Sequence, residues 1–412
     1  MLQLWFIANT VLSPFATMVG GSTLTLNVVL LLIAGTIALA KTRKLTFNTT
    51  RALLVLISFF TLSFIFSLSG QCSDHLQKSV FTMPVLLFLV LMGMEVGYRA
   101  SESDWLNLQR AAQWALIMAF ASFIVEVLIP SRFPNGAPYR AKGELTGLFP
   151  EPSQAAVYLF PCIAVLLVAG EKKTRQKGMI ALGGLLIVSR SSTLIALTAA
   201  WLIYRLLIRG RLHQAMPYIL GVTALIGLGA AIDYSRYISP TIVRIVGVFA
   251  ASEESNISSL VYVQGWQDAW YNLLRTHGMG LGVNMMGCGT LPDVPARLAL
   301  TVIGLGDLNA TDGSFLFAKA VSEIGVFGIA FYIFLICWWI RLEKKLHQVR
   351  LEQTSVGAAT QTALIFCFVA SSFIRTSGYF DGGFLLLVAA LCGASRLRLE
   401  TVNQTATIHA AL

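Results

Sequence analysis

Two arginines lie where a charged side chain has little access to bulk water. Arg190 belongs to the short segment Ser189-Arg190-Ser191-Ser192 between two apolar runs, and Arg375 directly follows another apolar run. A guanidinium group is planar and always charged, so it can bind a phosphate or diphosphate through two parallel hydrogen bonds. Because a charge in such a position usually has a partner or faces a water-filled cavity, both arginines are candidate ligands for a phosphate group.

Three further arginines and one histidine are candidates for the same chemistry. Arg140 lies in the first of two long polar segments, and Arg244 and Arg275 lie in the second. His277 follows Arg275 by two residues and could act as a base, although a single histidine in a loop is more often solvated. Most arginines in such segments are solvated or extend toward water from helix ends, so the residues alone leave these roles open.

Glu151 is a carboxylate on a restricted backbone. It lies between Pro150 and Pro152 at the start of an apolar run, where Ser153 is a candidate N-cap of the helix. The prolines fix the backbone on both sides, and a helix N-terminus stabilises negative charge. Glu151 is therefore either part of a rigid cap or a functional carboxylate that binds an acceptor substrate or acts as a general base.

Asp312 is a second carboxylate at the start of an apolar run, and it would also lie near a helix N-terminus. Within that run Lys319 and Glu323 are four residues apart, so they share one helical face. We predict that these two residues form a buried structural pair.

The six cysteines are scattered along the chain, without the spacing of a metal site or of a disulfide framework. Most of them are expected to be small packing residues. We therefore expect no metal ion and no cofactor.

The segments that must position these residues are membrane helices. Of the 412 residues, 56% are hydrophobic and only 12% are charged, whereas a soluble domain has about 25% charged residues. Apolar runs of about 18 residues recur, and each can cross a bilayer as a helix. We predict one all-α transmembrane domain over residues 1–412, a polytopic integral membrane protein of about twelve helices. The predicted helices are 4–19, 22–40, 52–70, 80–98, 111–130, 154–170, 178–189, 191–208, 216–233, 314–340, 360–375 and 382–395.

Basic residues set the predicted orientation. The net charge of +10 comes from clusters in short connections between apolar runs, such as Lys41 to Lys44 and Lys172 to Lys177. These clusters fall on one side if both chain ends are cytoplasmic, which satisfies the positive-inside rule. This placement argues for an inner-membrane protein and against a nucleic-acid partner.

Two predicted periplasmic loops are longer than a connection needs. They cover 131–153 and 234–313, and the second contains an amphipathic stretch from Leu260 to Leu274 that is typical of a helix lying at the membrane interface. A glycine run at 278–282 is expected to end that helix. The large periplasmic loop is therefore expected to contain short helices.

Several motifs, in this order, resemble those of the O-antigen polymerase family and its relatives, the O-antigen ligases. The resemblance covers roughly residues 140 to 340. The motifs are Gly147-Leu148-Phe149-Pro150-Glu151-Pro152-Ser153, Ser189-Arg190-Ser191, the Trp266 helix leading to Gly280-Leu281-Gly282, and Ser322-Glu323-Ile324-Gly325-Val326-Phe327-Gly328.

The resemblance implies a metal-independent glycosyltransferase that uses a glycan on undecaprenyl diphosphate as its donor. Arg190 would hold the diphosphate leaving group together with Arg375, while Glu151 or Asp312 would lie nearer the acceptor. Relatives often have an arginine four residues before the loop tryptophan, where this chain has Tyr262. That role is then left to Arg244 or Arg275. The remaining candidates for binding the diphosphate or glycan are Tyr262, Arg140 and His277.

A polymerase would pass the growing chain to the next lipid-linked repeat unit at the periplasmic face, in concert with a chain-length regulator protein. A ligase would pass it to lipid A-core. Ligases commonly have a histidine near the start of the helix that holds Glu323, whereas this chain has Asp312 to Ser314 there. The polymerase is therefore favoured. A flippase or transporter of lipid-linked oligosaccharides is an alternative from another class, whose polar residues would line a path through the bilayer.

Overall fold

A computed structural model of the chain describes most of residues 73–394. The continuous described ranges are 73–129, 146–149, 151–189, 191–209, 257–288, 291–349, 356–375 and 386–394, with shorter stretches within 2–61 and 379–384.

The regular secondary structure of the described residues is helical apart from one β-hairpin. In chain order the elements are β1 (Ala16–Val19), β2 (Ser22–Thr25), α1 (Ser73–Arg99), α2 (Glu102–Leu128), α3 (Pro152–Leu167), α4 (Lys172–Ser189), α5 (Ser192–Arg209), α6 (Ile257–Arg275), α7 (Pro295–Val302), α8 (Leu316–Ile324), α9 (Val326–Val349) and α10 (Val356–Ile374). Residues 386–394 are also helical.

Four helices within the described part of the chain are long and apolar enough to cross a membrane. They are α1 from Lys78, α2, α9 to Lys344, and α10, while α3 and α5 contain shorter apolar stretches. The helical class of the prediction is confirmed, but the count of about twelve spans is not. Most of the predicted spans 4–19, 22–40 and 52–70, and all of 216–233, fall outside the described residues.

The hairpin corrects the boundaries of the first two predicted helices. β1 and β2 pair antiparallel with Val19 opposite Ser22, where the sequence predicted one helix to end and the next to begin. The strand residues include Thr17 and Thr23, whose β-branched side chains favour strands, and two glycines separate the strands.

The centre of the helix bundle is α3, which is buried on nearly every side. It packs against α2, α4, α5 and α10, and most of its side chains from Ala155 to Leu167 are buried. The start of α3 suits this role because Pro152 occupies its first turn, where the missing N–H removes no helical hydrogen bond. A residue just before α3 is thereby fixed relative to four other helices.

The predicted tight turn between α4 and α5 is confirmed, although α4 begins at Lys172 rather than at residue 178. α4 ends at Ser189 and α5 begins at Ser192, and both Ser189 and Ser191 are buried. The Ser191 hydroxyl accepts the N–H of Leu194 at 3.4 Å, which satisfies one free donor at the start of α5. Arg190 itself lies outside the described residues.

The prediction of one helix over 314–340 is wrong, because the chain breaks between α8 and α9. Gly325 has a φ of 60°, which ends α8. The glycine segment after α6 then pairs with the break through three main-chain hydrogen bonds. These run from the N–H of Leu281 to the carbonyl of Ser322 (2.9 Å), from Gly282 to Glu323 (2.8 Å) and from Val326 to Gly278 (2.8 Å).

Contacts between helix termini define two ends of the bundle. At one, called the Gly357 end, the Glu102 carboxylate accepts the N–H of Gly357 at 2.7 Å, and Tyr204 contacts Glu343. At the other, called the Glu151 end, α3 begins and α10 ends. The two ends are separated by the length of the spanning helices.

We expect Gly280→Ala to destabilise the protein severely. Gly280 has a φ of 83°, and a Cβ there would overlap the carbonyl oxygen of Glu323. The backbone strain alone costs on the order of 1–3 kcal/mol, and the overlap adds to it. The measurement is the melting temperature of the purified protein in detergent.

Two alanine variants are matched controls for Gly280→Ala. Gly304 has a φ of 76° with open space around it, so Gly304→Ala carries the strain without the overlap. Gly183 lies in α4 with no neighbour in contact, so Gly183→Ala should be neutral or stabilising by up to about 1 kcal/mol. A melting temperature for Gly280→Ala equal to that of Gly304→Ala would show that the close approach is unimportant.

Candidate functional site

The structure joins two of the residues predicted to form the site. The Arg375 guanidinium lies 2.8 Å from Oε2 of Glu151, across 224 residues of chain. The side chains are 32% and 35% exposed, respectively, so the ion pair is held by the protein yet open to solvent. Both groups are therefore accessible from outside the bundle at the Glu151 end.

Ser153 contributes to this pair rather than capping the helix. α3 begins at Pro152, its N-cap is Glu151, and no side chain makes a capping hydrogen bond there. The Ser153 hydroxyl instead donates to the same Glu151 oxygen at 2.9 Å. The N-cap prediction is thus wrong, and Glu151 has two donors on one oxygen.

Tyr262 holds the end of α10 that carries Arg375. Its hydroxyl donates to the carbonyl oxygen of Phe373 at 3.0 Å, two residues before the arginine. Burial raises the pKa of the Tyr262 phenol, so it remains a neutral donor. Tyr262 thus acts on the site through the backbone of α10.

An aromatic cluster surrounds this contact and joins α6 and α8 to the end of α10. Phe317 stacks on Phe373 with ring centroids 4.4 Å apart, and Trp266 lies 5.1 Å from Phe315. Tyr262 stacks on Phe315 at 4.9 Å. One side of Trp266 therefore packs against the helices that carry the site.

Asp312 belongs to a neighbouring charged group. Its side chain is 53% exposed and lies 3.7 Å from the Lys319 ammonium, which is also 3.9 Å from Glu323. The Tyr379 hydroxyl donates to Glu323 at 2.6 Å. The predicted Lys319 and Glu323 pair is confirmed. Tyr379, which contacts this group, follows Arg375 by four residues in the sequence.

Asp312 is not at a helix N-terminus, in contrast to the prediction. α8 begins at Leu316 with Phe315 as its N-cap. The buried Ser314 hydroxyl donates to the carbonyl of Val261 at 2.7 Å, which ties this turn to α6. The charge of Asp312 is therefore balanced by Lys319 rather than by a helix dipole.

Arg275 and His277 are at the opposite end of α6 from Tyr262. Thirteen residues of helix separate Arg275 from Tyr262, which is about 20 Å along the axis. Arg275 lies over the ring of Tyr271 at 5.8 Å, and His277 adopts a φ of 51° where the helix ends. The structure therefore does not bring these two candidates to the pair of Glu151 and Arg375.

Sequence reasoning missed a buried ion pair between α6 and α7. Arg297 lies 2.6 Å from Asp268, and their side chains are 5% and 2% exposed. Arg297 also donates to the carbonyl of Gly306 at 2.8 Å. Burial raises the pKa of Asp268 to about 6, against the opposing effect of the Arg297 charge. Arg297 was expected to be one of many solvated loop arginines, and no local pattern marks it as different.

Cys288 is disulfide-bonded, which the spacing of the cysteines did not indicate. Cys162 and Cys367 are buried and are not disulfide-bonded, in agreement with the prediction of packing residues. Cys288 lies beside Arg297 and Arg275 in a shallow cavity between α6 and the loop that follows it. A covalent link therefore constrains this part of the chain.

Three predicted site residues, Arg140, Arg190 and Arg244, lie outside the described residues. Within the part that the structure describes, no three side chains of His, Cys, Asp or Glu are close enough to hold a metal ion. No protein-family model matches the chain, and no curated protein is significantly similar to it.

We expect Arg297→Met to destabilise the protein in a pH-dependent manner. Without the guanidinium, the buried Asp268 carboxylate loses its partner and its pKa rises further above 6. A carboxyl with a raised folded pKa stabilises the folded state at low pH, and this stabilisation is lost as the pH rises through that pKa. The loss should be about 3–5 kcal/mol at pH 8 and much smaller at pH 5, measured by thermal melting.

The control is the double variant Arg297→Met with Asp268→Asn. It has no titrating group at this position. It should therefore not show the additional loss of stability, relative to the wild type, that Arg297→Met shows between pH 5 and pH 8. An equal effect of Arg297→Met at both pH values would contradict a role for the Asp268 charge.

Proposed function

We propose that this protein is a membrane glycosyltransferase that polymerises oligosaccharide repeat units carried on undecaprenyl diphosphate. The observation that carries the proposal is the solvent-accessible pair of Arg375 and Glu151 at the end of the bundle. An arginine suits the diphosphate leaving group, whose developing charge must be neutralised. A carboxylate beside it suits the acceptor hydroxyl, whose proton must be removed.

In the proposed reaction an acceptor hydroxyl oxygen attacks the anomeric carbon of the donor glycan. The bond from that carbon to the diphosphate oxygen breaks, and the lipid diphosphate leaves with the bonding electron pair. Arg375 neutralises this charge, while the hydroxyl proton passes to Glu151 or to the exposed carboxylate of Asp312. Arg190 is proposed as a second diphosphate ligand from the resemblance of its serine-flanked turn.

Two observations support a periplasmic Glu151 end in the bacterial inner membrane. Lys172, Lys173, Arg175 and Lys177 begin α4 at the Gly357 end, in accord with a cytoplasmic location by the positive-inside rule. Cys288 follows α6, which is tied to the Glu151 end through Tyr262, and its disulfide suits an oxidising compartment such as the periplasm.

The purified protein in detergent should elongate glycans by itself. Given lipid-diphosphate-linked repeat units, without nucleotide sugar or divalent metal, it should produce a ladder of longer chains on gels. A flippase would leave the chain length unchanged, and a ligase would elongate nothing without lipid A-core. Either result would overturn the polymerase proposal.

Arg375→Lys should lower the elongation rate by on the order of 10²–10³, the typical loss for one transition-state contact. Lysine keeps the charge but cannot make two parallel hydrogen bonds to the diphosphate. The control is Arg99→Lys, because Arg99 also pairs with a glutamate, Glu95, at 2.9 Å but lies at the Gly357 end. Equal rates for the two variants, per amount of folded protein, would remove Arg375 from the site.

A further inference from the structure

A buried glutamate near the end of α2 binds the segment that leads to Glu151. Glu126 is 4% exposed, and its Oε2 accepts the backbone N–H groups of Thr146 at 2.9 Å and of Gly147 at 2.7 Å. Both donor residues are buried. A buried amide needs a hydrogen-bond acceptor, and here one carboxylate serves two successive amides.

Ser122 extends this contact by one residue. It lies one turn before Glu126 on the same face of α2, and its hydroxyl oxygen accepts the N–H of Leu148 at 3.3 Å. Gly147 has a φ of 59°, and a Cβ there would overlap the Ser122 hydroxyl. Phe149 then stacks on Tyr158 of α3, with ring centroids 6.0 Å apart. The turn at 146–149 is therefore fixed to both α2 and α3.

Apart from these two hydrogen bonds, the position of Glu126 is energetically unfavourable for a negative charge. It lies in the last turn of α2, which ends at Leu128, and the C-terminal end of a helix disfavours negative charge. A carboxylate on the lipid-facing side of α2 would have no amide donors of this kind. The two amides of the turn offset this cost, so Glu126 and the turn depend on each other.

We propose that Glu126 is a positioning residue for Glu151. By fixing the turn at 146–149 to α2, its carboxylate holds the chain two residues before Glu151 and keeps that side chain against Arg375. The importance of this positioning for catalysis rests on the proposed glycosyl transfer. The contact itself can be tested without measuring enzymatic activity.

The first test is hydrogen exchange of the Thr146 and Gly147 amides in the full-length protein. Glu126→Leu removes the acceptor, so both amides should exchange at least about tenfold faster than in the wild type. Glu126→Gln keeps one acceptor oxygen and should retain most of the protection. The matched control is Glu102→Leu, which removes a similar contact from a carboxylate to the N–H of Gly357 at the other end of the bundle. Unchanged exchange at 146–147 in Glu126→Leu would overturn the proposed contact.

The second test reads the position of residue 151 through the pKa of a thiol. In Glu151→Cys, a nearby Arg375 should lower the thiol pKa below its usual value of about 8.5, which shifts the pH profile of maleimide labelling at that residue. Adding Glu126→Leu should return the midpoint to about 8.5, as Arg375→Gln should. Adding Glu102→Leu should not. An identical midpoint with and without Glu126 would refute the positioning role.

Elongation assays then separate this inference from the proposed function. Glu126→Leu should lose most of the elongation rate per folded protein, Glu126→Gln should recover much of it, and Glu102→Leu should retain it. Normal elongation by Glu126→Leu, despite fast exchange at 146–147, would also refute the positioning role. If the wild-type protein elongates nothing, the proposed function fails, and the exchange and labelling results still decide whether Glu126 places Glu151.

Discussion

The pairing between the glycine segment after α6 and the break between α8 and α9 supports much of the Glu151 end. A helix that stops near a membrane leaves its last carbonyl groups without partners, and lipid supplies none. Here the carbonyls of Ser322 and Glu323 accept N–H groups from Leu281 and Gly282. Only glycine permits the approach at Gly280. α6 is thereby docked so that Tyr262 reaches the end of α10.

The parts of the fold that depend on local signals could be predicted from the sequence. The apolar runs gave the spanning helices, and the charged turn of Ser189 to Ser192 gave the tight connection between α4 and α5. The break at Gly325 was missed because the apolar residues from Val326 onward and the helical spacing of Lys319 and Glu323 together favour one continuous helix. Its cause is a pairing with residues more than forty positions earlier, which hydropathy cannot show.

The candidate site was predictable as a set of residues but not as an arrangement. Glu151 stood out by its flanking prolines and Arg375 by its place after an apolar run, yet nothing local indicated that they pair across 224 residues. Arg275 was indistinguishable in sequence from a site arginine, and its exclusion follows only from the length of α6. Asp268 and Arg297 show the converse case, in which charges from a predicted loop are buried together.

The docking of α6 also limits where the chain can change length. Its last residue, Arg275, is followed within three residues by Gly278, whose carbonyl is bound by Val326. One inserted residue within α6 would rotate the helix before it by about 100° and displace it by about 1.5 Å. The ring of Tyr262 would then point away from Phe373. Insertions should therefore be excluded from this helix over evolutionary time.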